Sequence, residues 1–159
     1  MMLQIHHRES RDVDIFLSDP QLLSFLDPQT HDFEFQIQPV EYIGDGARFL
    51  RLAFDKIGGV DFIVGHGLTS SPFTQTIIDG EVVLLETIPE IVTKKIYYRA
   101  SSIKPRDIVD IAAAGDQHEN LLIKELKKYQ EEVVLTLATI DTLSPEFVDN
   151  VISQLALTD

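Results

Sequence analysis

The sequence predicts an α/β (α+β) protein in which a sheet-containing N-terminal part leads into a helical C-terminal part. Three observations carry that expectation. Two apolar runs flank a turn in RFLRLAFDKIGGVDFIVG (48–65), a second pair flanks Asp79 and Gly80, and apolar residues change to helical spacing after Thr87. With 159 residues, 44% of them hydrophobic and 25% charged, the chain suits one compact domain, 1–159. Within it, residues 1–88 read as the sheet-containing core and 89–159 as a helical lobe.

Taken in order, VDIFL (13–17) reads as a short buried strand, and Ser18 with Pro20 opens a helix through QLLSFLD. On a strand, positions 12 and 14 face the same side, so Asp12 and Asp14 are presented together. The 48–65 segment reads as a hairpin with its turn at Ile57–Gly59, which places Asp61 inside the second strand between Val60 and Phe62. An unpaired charge in a half-buried strand costs several kcal/mol by order of magnitude, so Asp61 either lies on a solvated face or has a partner. FTQTIIDGEVVLLETI forms a second hairpin around Asp79-Gly80, a favoured turn pair. Thr87, Pro89 and Glu90 then make an S/T-x-x-E helix start, followed by Ile88, Val92 and Ile96 at helical spacing. Another helix begins near Pro105 and stops at Gly115. A longer amphipathic helix runs from His118 to about Thr139, and Ser144 with Pro145 caps a last one carrying Phe147, Val151 and Leu155.

A net charge of −13 repels polyanions at long range, so general coating of nucleic acid is excluded, and nucleotide binds only where cations reverse the sign. The absence of cysteine excludes disulfide and thiolate chemistry. There is no apolar stretch long enough for a bilayer and no signal-peptide core in MMLQIHHRES, which leads to the expectation of a cytoplasmic protein with no membrane partner. The five histidines make no metal-ligand spacing. Lys94, Lys95, Arg99, Lys104 and Arg106 place five of the 13 basic residues in one short segment. Such a run is ordinarily a solvated face, and Asp107 and Asp110 stand near enough to neutralise it.

A D-x-D pair alone says little, because 15 aspartates in 159 residues give roughly one such pair by chance. The combination says more. Three carboxylates on adjacent strands beside a basic helical element are the equipment of phosphoryl-type transfer, in which carboxylates hold Mg²⁺ and a lysine neutralises developing charge. On this reading Asp12 and Asp14 hold two metal ions, Asp61 completes the site and helps activate an acceptor hydroxyl, and Lys95 meets the triphosphate.

HRESRDVDIF (7–16), GGVDFIV (58–64) and KIYYRASSIKPRDIVDIAAA (95–114) together resemble the nucleotidyltransferase family of AbiEii/AbiGii-type toxins, within the polymerase-beta-like superfamily. The resemblance spans residues 7 to about 114 and implies a mixed sheet flanked by helices. It implies a site matching here at Asp12, Asp14, Asp61, Lys95, Arg106, Asp107 and Asp110, the first three catalytic and metal-binding and the last four nucleotide-binding. It further implies NTP and Mg²⁺ as substrate and cofactor, NMP transfer to an RNA such as tRNA or to a protein hydroxyl, and an antitoxin encoded alongside. The family also carries a Gly-Gly or Gly-Ser turn before the D-x-D, where backbone N–H groups receive the triphosphate. Here no glycine precedes Gly44. Two expectations therefore stand side by side: a nucleotidyltransferase whose start lies upstream, or a shortened, catalytically inactive relative that acts through protein–protein contacts, including self-association over a bared sheet flank. A third, an unrelated acidic α/β domain whose aspartates are all surface groups, is supported if Asp12, Asp14 and Asp61 do not lie within metal-bridging distance of one another.

Overall fold

The computed structural model describes residues 1–31 and 33–157. The chain divides into two compact units, Ser10–His66 and Met1–Glu9 with Gly67–Asp159. The elements are mixed α and β: a four-stranded mixed sheet in the first unit, and a two-stranded sheet with the main helices in the second.

The four-stranded sheet comprises β1 (Val13–Leu17), β2 (Glu41–Gly44), β3 (Phe49–Phe54) and β4 (Gly58–Val64) in the order β1-β4-β3-β2. β1 runs parallel to β4, and the other two pairings are antiparallel. Because side chains alternate along each strand, Leu50 and Leu52 of β3 share a face with Leu17, Tyr42, Phe54, Phe62 and Val64, and that face is the core of this unit. Leu23 of the short helix α2 (Gln21–Leu26) and Phe35 pack onto it. The hairpin between β3 and β4 forms, but its turn falls at 55–57 and not at the expected Ile57–Gly59: Lys56 takes the left-handed region (φ 60°), while Gly58 (φ 136°) and Gly59 already belong to β4 and pair with β3. A Cβ at Gly58 would sit 2.1 Å from the carbonyl oxygen of Arg11, so only glycine fits. Strand β2 was not foreseen: EYIG is too short for its alternation to stand out, and it exists by pairing with β3.

The second unit holds the hairpin β5 (Phe73–Ile78) and β6 (Glu81–Glu86), turned at Asp79 (φ 51°) and Gly80 (φ 87°) as its turn pair dictates. Its helices are a short N-terminal turn, α1 (Met2–Ile5), then α3 (Ile88–Arg99), α4 (Pro105–Leu126), α5 (Gln130–Ile140) and α6 (Pro145–Ser153). Ile88, Val92 and Ile96 of α3 pack with Ala114 and Leu122 of α4, and Ile5, Ile111, Leu126 and Val133 close around them. Ser144 caps α6 by accepting from the Phe147 N–H, as expected from Ser-Pro.

Two helix boundaries differ from the periodicity. Gly115 does not end α4, which continues to Leu126 with one distorted residue at His118 (φ −131°, ψ 21°). Ala114 before the distortion and Leu122 after it are buried in the same core, and that packing outweighs the ~1 kcal/mol that glycine costs a helix. The expected 118–139 helix is instead broken at 127–129 into the end of α4 and the start of α5. Tyr129 leaves helical geometry there and donates its hydroxyl to the Leu68 carbonyl at 2.7 Å, a tertiary contact that the local pattern does not encode.

Candidate functional site

β1 and β4 pair so that Asp14 lies opposite Asp61, and β4 and β3 pair so that Asp61 lies opposite Arg51. With alternation, Asp12, Asp14, Asp61, Arg51 and, from β2, Glu41 all project from the sheet face opposite the apolar core. The three aspartates singled out by the sequence thus share one face. This answers the question posed by Asp61: it is 15% exposed and has a partner.

That partner is Arg51, whose Nη1 donates to both Asp61 oxygens at 3.0 and 2.9 Å. The same guanidinium places Nε 3.4 Å from Glu41 and Nη2 3.9 Å from Asp12. Asp12 Oδ1 also accepts the Gly59 N–H at 2.8 Å. Gly59 has no side chain, and a Cβ there would stand 3.1–3.2 Å from the Arg51 guanidinium and Asp12 Oδ1, so the bare backbone makes the floor on which these groups meet. Burial, then the charges of Asp14 and Asp12, push the Asp61 carboxyl above the usual range, and Arg51 opposes them. Reciprocally, Asp61 foremost, with Asp12 and Glu41, holds Arg51 further protonated.

Arg51 was not singled out from the sequence, yet a signal was there. FLRLAF and VDFIV each carry one charge in an apolar strand, and the hairpin register sets those two charges opposite each other.

In the second unit, Lys95, Asp107 and Asp110 come together as one buried ion network. Lys95 Nζ lies 2.7 Å from Asp107 Oδ1 and 2.9 Å from Asp110 Oδ2. Arg99 donates to Asp107 Oδ1 at 2.8 Å, and the Lys104 N–H reaches Asp107 Oδ2 at 3.2 Å. Arg8 clamps Asp110 with Nε at 2.6 Å and Nη2 at 3.0 Å, and His7 Nε2 stands 2.7 Å from Asp110 Oδ1. Both carboxylates are fully buried, and all four of their oxygens are engaged. Burial alone would raise the two acids, but the hydrogen bonds of Lys95 and Arg8 and the surrounding cations hold both below the usual carboxylate range. Arg106 is exposed on the first turn of α4. The basic island is therefore not one solvated face: Lys94 turns to Glu86 and Glu90, Lys95 and Arg99 turn to the aspartates, and Lys104 and Arg106 remain at the surface.

A second buried cluster went unread in the sequence. Glu90 accepts the N–H groups of Leu68 and Thr69 and the Thr69 hydroxyl, and Glu125 accepts the Ser70 N–H and hydroxyl. Thr87 turns its hydroxyl to the Ser71 carbonyl. The expected capping box at Thr87 does not form, because both of its side chains are claimed by the 67–72 loop.

As donors, Asp12, Asp14 and Asp61 are the hard oxygen ligands that Mg²⁺ takes. In the arrangement seen, Asp61 is committed to Arg51 and Asp12 partly to Gly59, and among the described residues no three His, Asp or Glu side chains converge to hold an ion. Among the described residues, no helix is long and apolar enough to cross a membrane. Comparison with protein-family models, with curated proteins and with solved structures finds no match to this chain.

Proposed function

We propose that the chain is a metal-dependent nucleotidyltransferase of the kind it resembles, transferring NMP from NTP to an RNA or protein hydroxyl, with Asp12, Asp14 and Asp61 as its catalytic carboxylates. The observation that carries this reading is the register of β1 with β4, which sets Asp14 opposite Asp61 with Asp12 on the same face. Asp12, Asp14 and Asp61 are the side chains that would hold Mg²⁺ once Asp61 is released from Arg51, and the ion would supply positive charge to a transferring phosphoryl group. Asp61, which completes the set from the neighbouring strand, would also help activate an attacking hydroxyl. The test is incubation of the full chain with each α-labelled NTP, Mg²⁺ and total RNA. Label enters RNA or protein with the parent and not with Asp14→Asn; label that persists in Asp14→Asn refutes the reading. A toxin role, with an antitoxin as partner, belongs to the same proposal and is tested by growth arrest on expression that Asp14→Asn relieves.

One observation favours the other reading, a non-catalytic relative working through protein contacts. The β5–β6 hairpin exposes Ile77 at 70% and Val82 and Leu84 at 66% each on one face, an apolar stripe suited to a protein partner or a second copy. That reading predicts an oligomer or complex that Leu84→Asp dissociates, and no NTP-dependent labelling.

A further inference from the structure

The hairpin β5–β6 is a sheet of two strands whose outer backbone is unevenly covered. The Thr87 N–H donates to the Pro72 carbonyl, which fixes the alternation: Thr74, Thr76 and Ile78 bond inward to β6, while the N–H and C=O groups of Phe73, Gln75 and Ile77 point away from it. On β6 the outward residues are Val82, Leu84 and Glu86, and the Glu86 carbonyl already accepts the Gln4 side chain. Among the described residues no hydrogen bond reaches the outward groups of β5, and every residue of that strand except Thr76 is exposed. An open edge is ordinarily guarded by charge, proline or a covering element. β5 (FTQTII) carries no charged residue, whereas Asp14, Glu41, Arg51 and Asp61 stand in the four strands of the other sheet and Glu81 and Glu86 in β6. We propose that β5 pairs with β5 of a second copy of this chain, antiparallel about a two-fold axis at Gln75, joining two hairpins into one four-stranded sheet. The pairing rests on the exposed hairpin of the non-catalytic reading above and requires neither metal nor nucleotide.

Symmetry and charge select both the strand and the occupant. A two-fold contact sets a surface against itself, so in a chain of net charge −13 a strand without charge is the one that meets its own copy without repulsion. With Gln75 opposite Gln75, Phe73 of each copy meets Ile77 of the other, and each pair exchanges both of its main-chain hydrogen bonds. Phe73, Gln75 and Ile77 lie exposed on one face of the hairpin, so aromatic–aliphatic pairs and facing carboxamides form with the hairpin as it stands. β6 makes a poorer edge: Gln4 occupies one end of it, and pairing it with itself would gather Glu81 and Glu86 of both copies. An edge contact buries less than a standard interface and works against the repulsion of two acidic chains, so the dimer is a weak one, with Kd on the order of 10–100 μM, tightening as salt screens that charge.

The experiment is sedimentation equilibrium of the full chain from about 5 to about 500 μM, a range that brackets the expected Kd, with amide hydrogen exchange followed over the same range. The mass should rise toward that of two chains, and exchange should slow at the Phe73, Gln75 and Ile77 amides while Val82 and Leu84 on the other edge stay unchanged. Gln75→Lys, at an exposed side chain, sets two lysines face to face and should weaken association about tenfold or more with an unchanged circular dichroism spectrum. A chain that stays monomeric throughout overturns the proposal. So does a dimer whose β5 amides gain no protection, or one that Gln75→Lys leaves intact; if Leu84→Asp dissociates that dimer, the non-catalytic reading survives and the β5 edge is the part that is wrong. Should Gln75→Lys fail to fold, the concentration dependence of the β5 amides in the parent decides alone.

Discussion

Replacing Asp110 by Asn removes the acid on which the second unit's buried cations converge. Asp110 is 1% exposed and takes Arg8 at 2.6 and 3.0 Å, His7 at 2.7 Å and Lys95 at 2.9 Å. An amide in its place turns one acceptor into a donor facing donors. Lys95 keeps Asp107 at 2.7 Å, whereas Arg8 is left with the Glu9 carbonyl at 3.1 Å. Removing one partner of a buried ion pair costs ~3–5 kcal/mol. Because Lys95 remains compensated and Arg8 reaches some solvent, the low end, about 3 kcal/mol, is expected here. At about 4 °C per kcal/mol for a unit of this size, the melting temperature falls by about 12 °C. The assay is thermal unfolding followed by circular dichroism at pH 7, with Arg8→Gln and the double variant completing a cycle whose coupling should reach ~1.5–3 kcal/mol. Asp107 and Asp110 have folded values below the ordinary carboxylate value, so their contribution is full above about pH 4 and is lost as pH falls below it. The gap between parent and Asp110→Asn should therefore narrow from pH 7 to pH 3. A loss of less than about 1 kcal/mol at pH 7, or a gap that does not change with pH, refutes the reasoning.

Four other outcomes follow from the same structure. Asp61 carries the opposite sign, its folded value being raised, so its contribution to stability is lost as pH rises; Asp61→Asn should change stability at pH 7 by less than ~1 kcal/mol, and urea unfolding that shows a loss above twice that amount would contradict this. Gly58→Ala, at φ 136° and against the Arg11 carbonyl, should cost about 2 kcal/mol or more in the same assay. Leu50→Ala, at 2% exposure in the core of the first unit, should cost ~2–5 kcal/mol. Glu125→Gln removes an acid held down to about 2 by its bonds to Lys128 and Ser70; hydrogen exchange should then quicken at the Ser70 amide while Leu68 and Thr69, held by Glu90, stay protected.

Much of the fold was legible because it is written in local periods and turn residues. Strand 13–17, the hairpins at 49–64 and 73–86, the helix after Thr87 and the Ser-Pro start of the last helix follow from apolar runs, the Asp-Gly turn, helical spacing and Ser144, although residues 13–15 are exposed where a buried strand was expected and the first hairpin turns at 55–57, ahead of Gly58-Gly59. What escaped depends on distant partners. Strand Glu41–Gly44 exists through its pairing with β3, Gly115 stays helical because Ala114 and Leu122 share a core, and the break at Tyr129 follows its bond to Leu68. The site divides in the same way. That Asp12 and Asp14 share a face is a parity argument, and Asp61 joins them once β1 is known to pair beside β4. That Arg51 would lie among them needed the hairpin register. That Asp107 and Asp110 would be buried with every oxygen engaged needed Arg8 and His7, about a hundred residues away in the chain.

The measurement that most directly tests the central claim, that Asp12, Asp14 and Asp61 make one metal and nucleotide site, is calorimetric titration of each NTP with Mg²⁺ into the full chain and into Asp12→Asn. The account predicts Mg²⁺-dependent binding of at least one NTP to the parent and its loss in the variant. Binding that is unchanged in Asp12→Asn, or no binding to the parent at all, would contradict it.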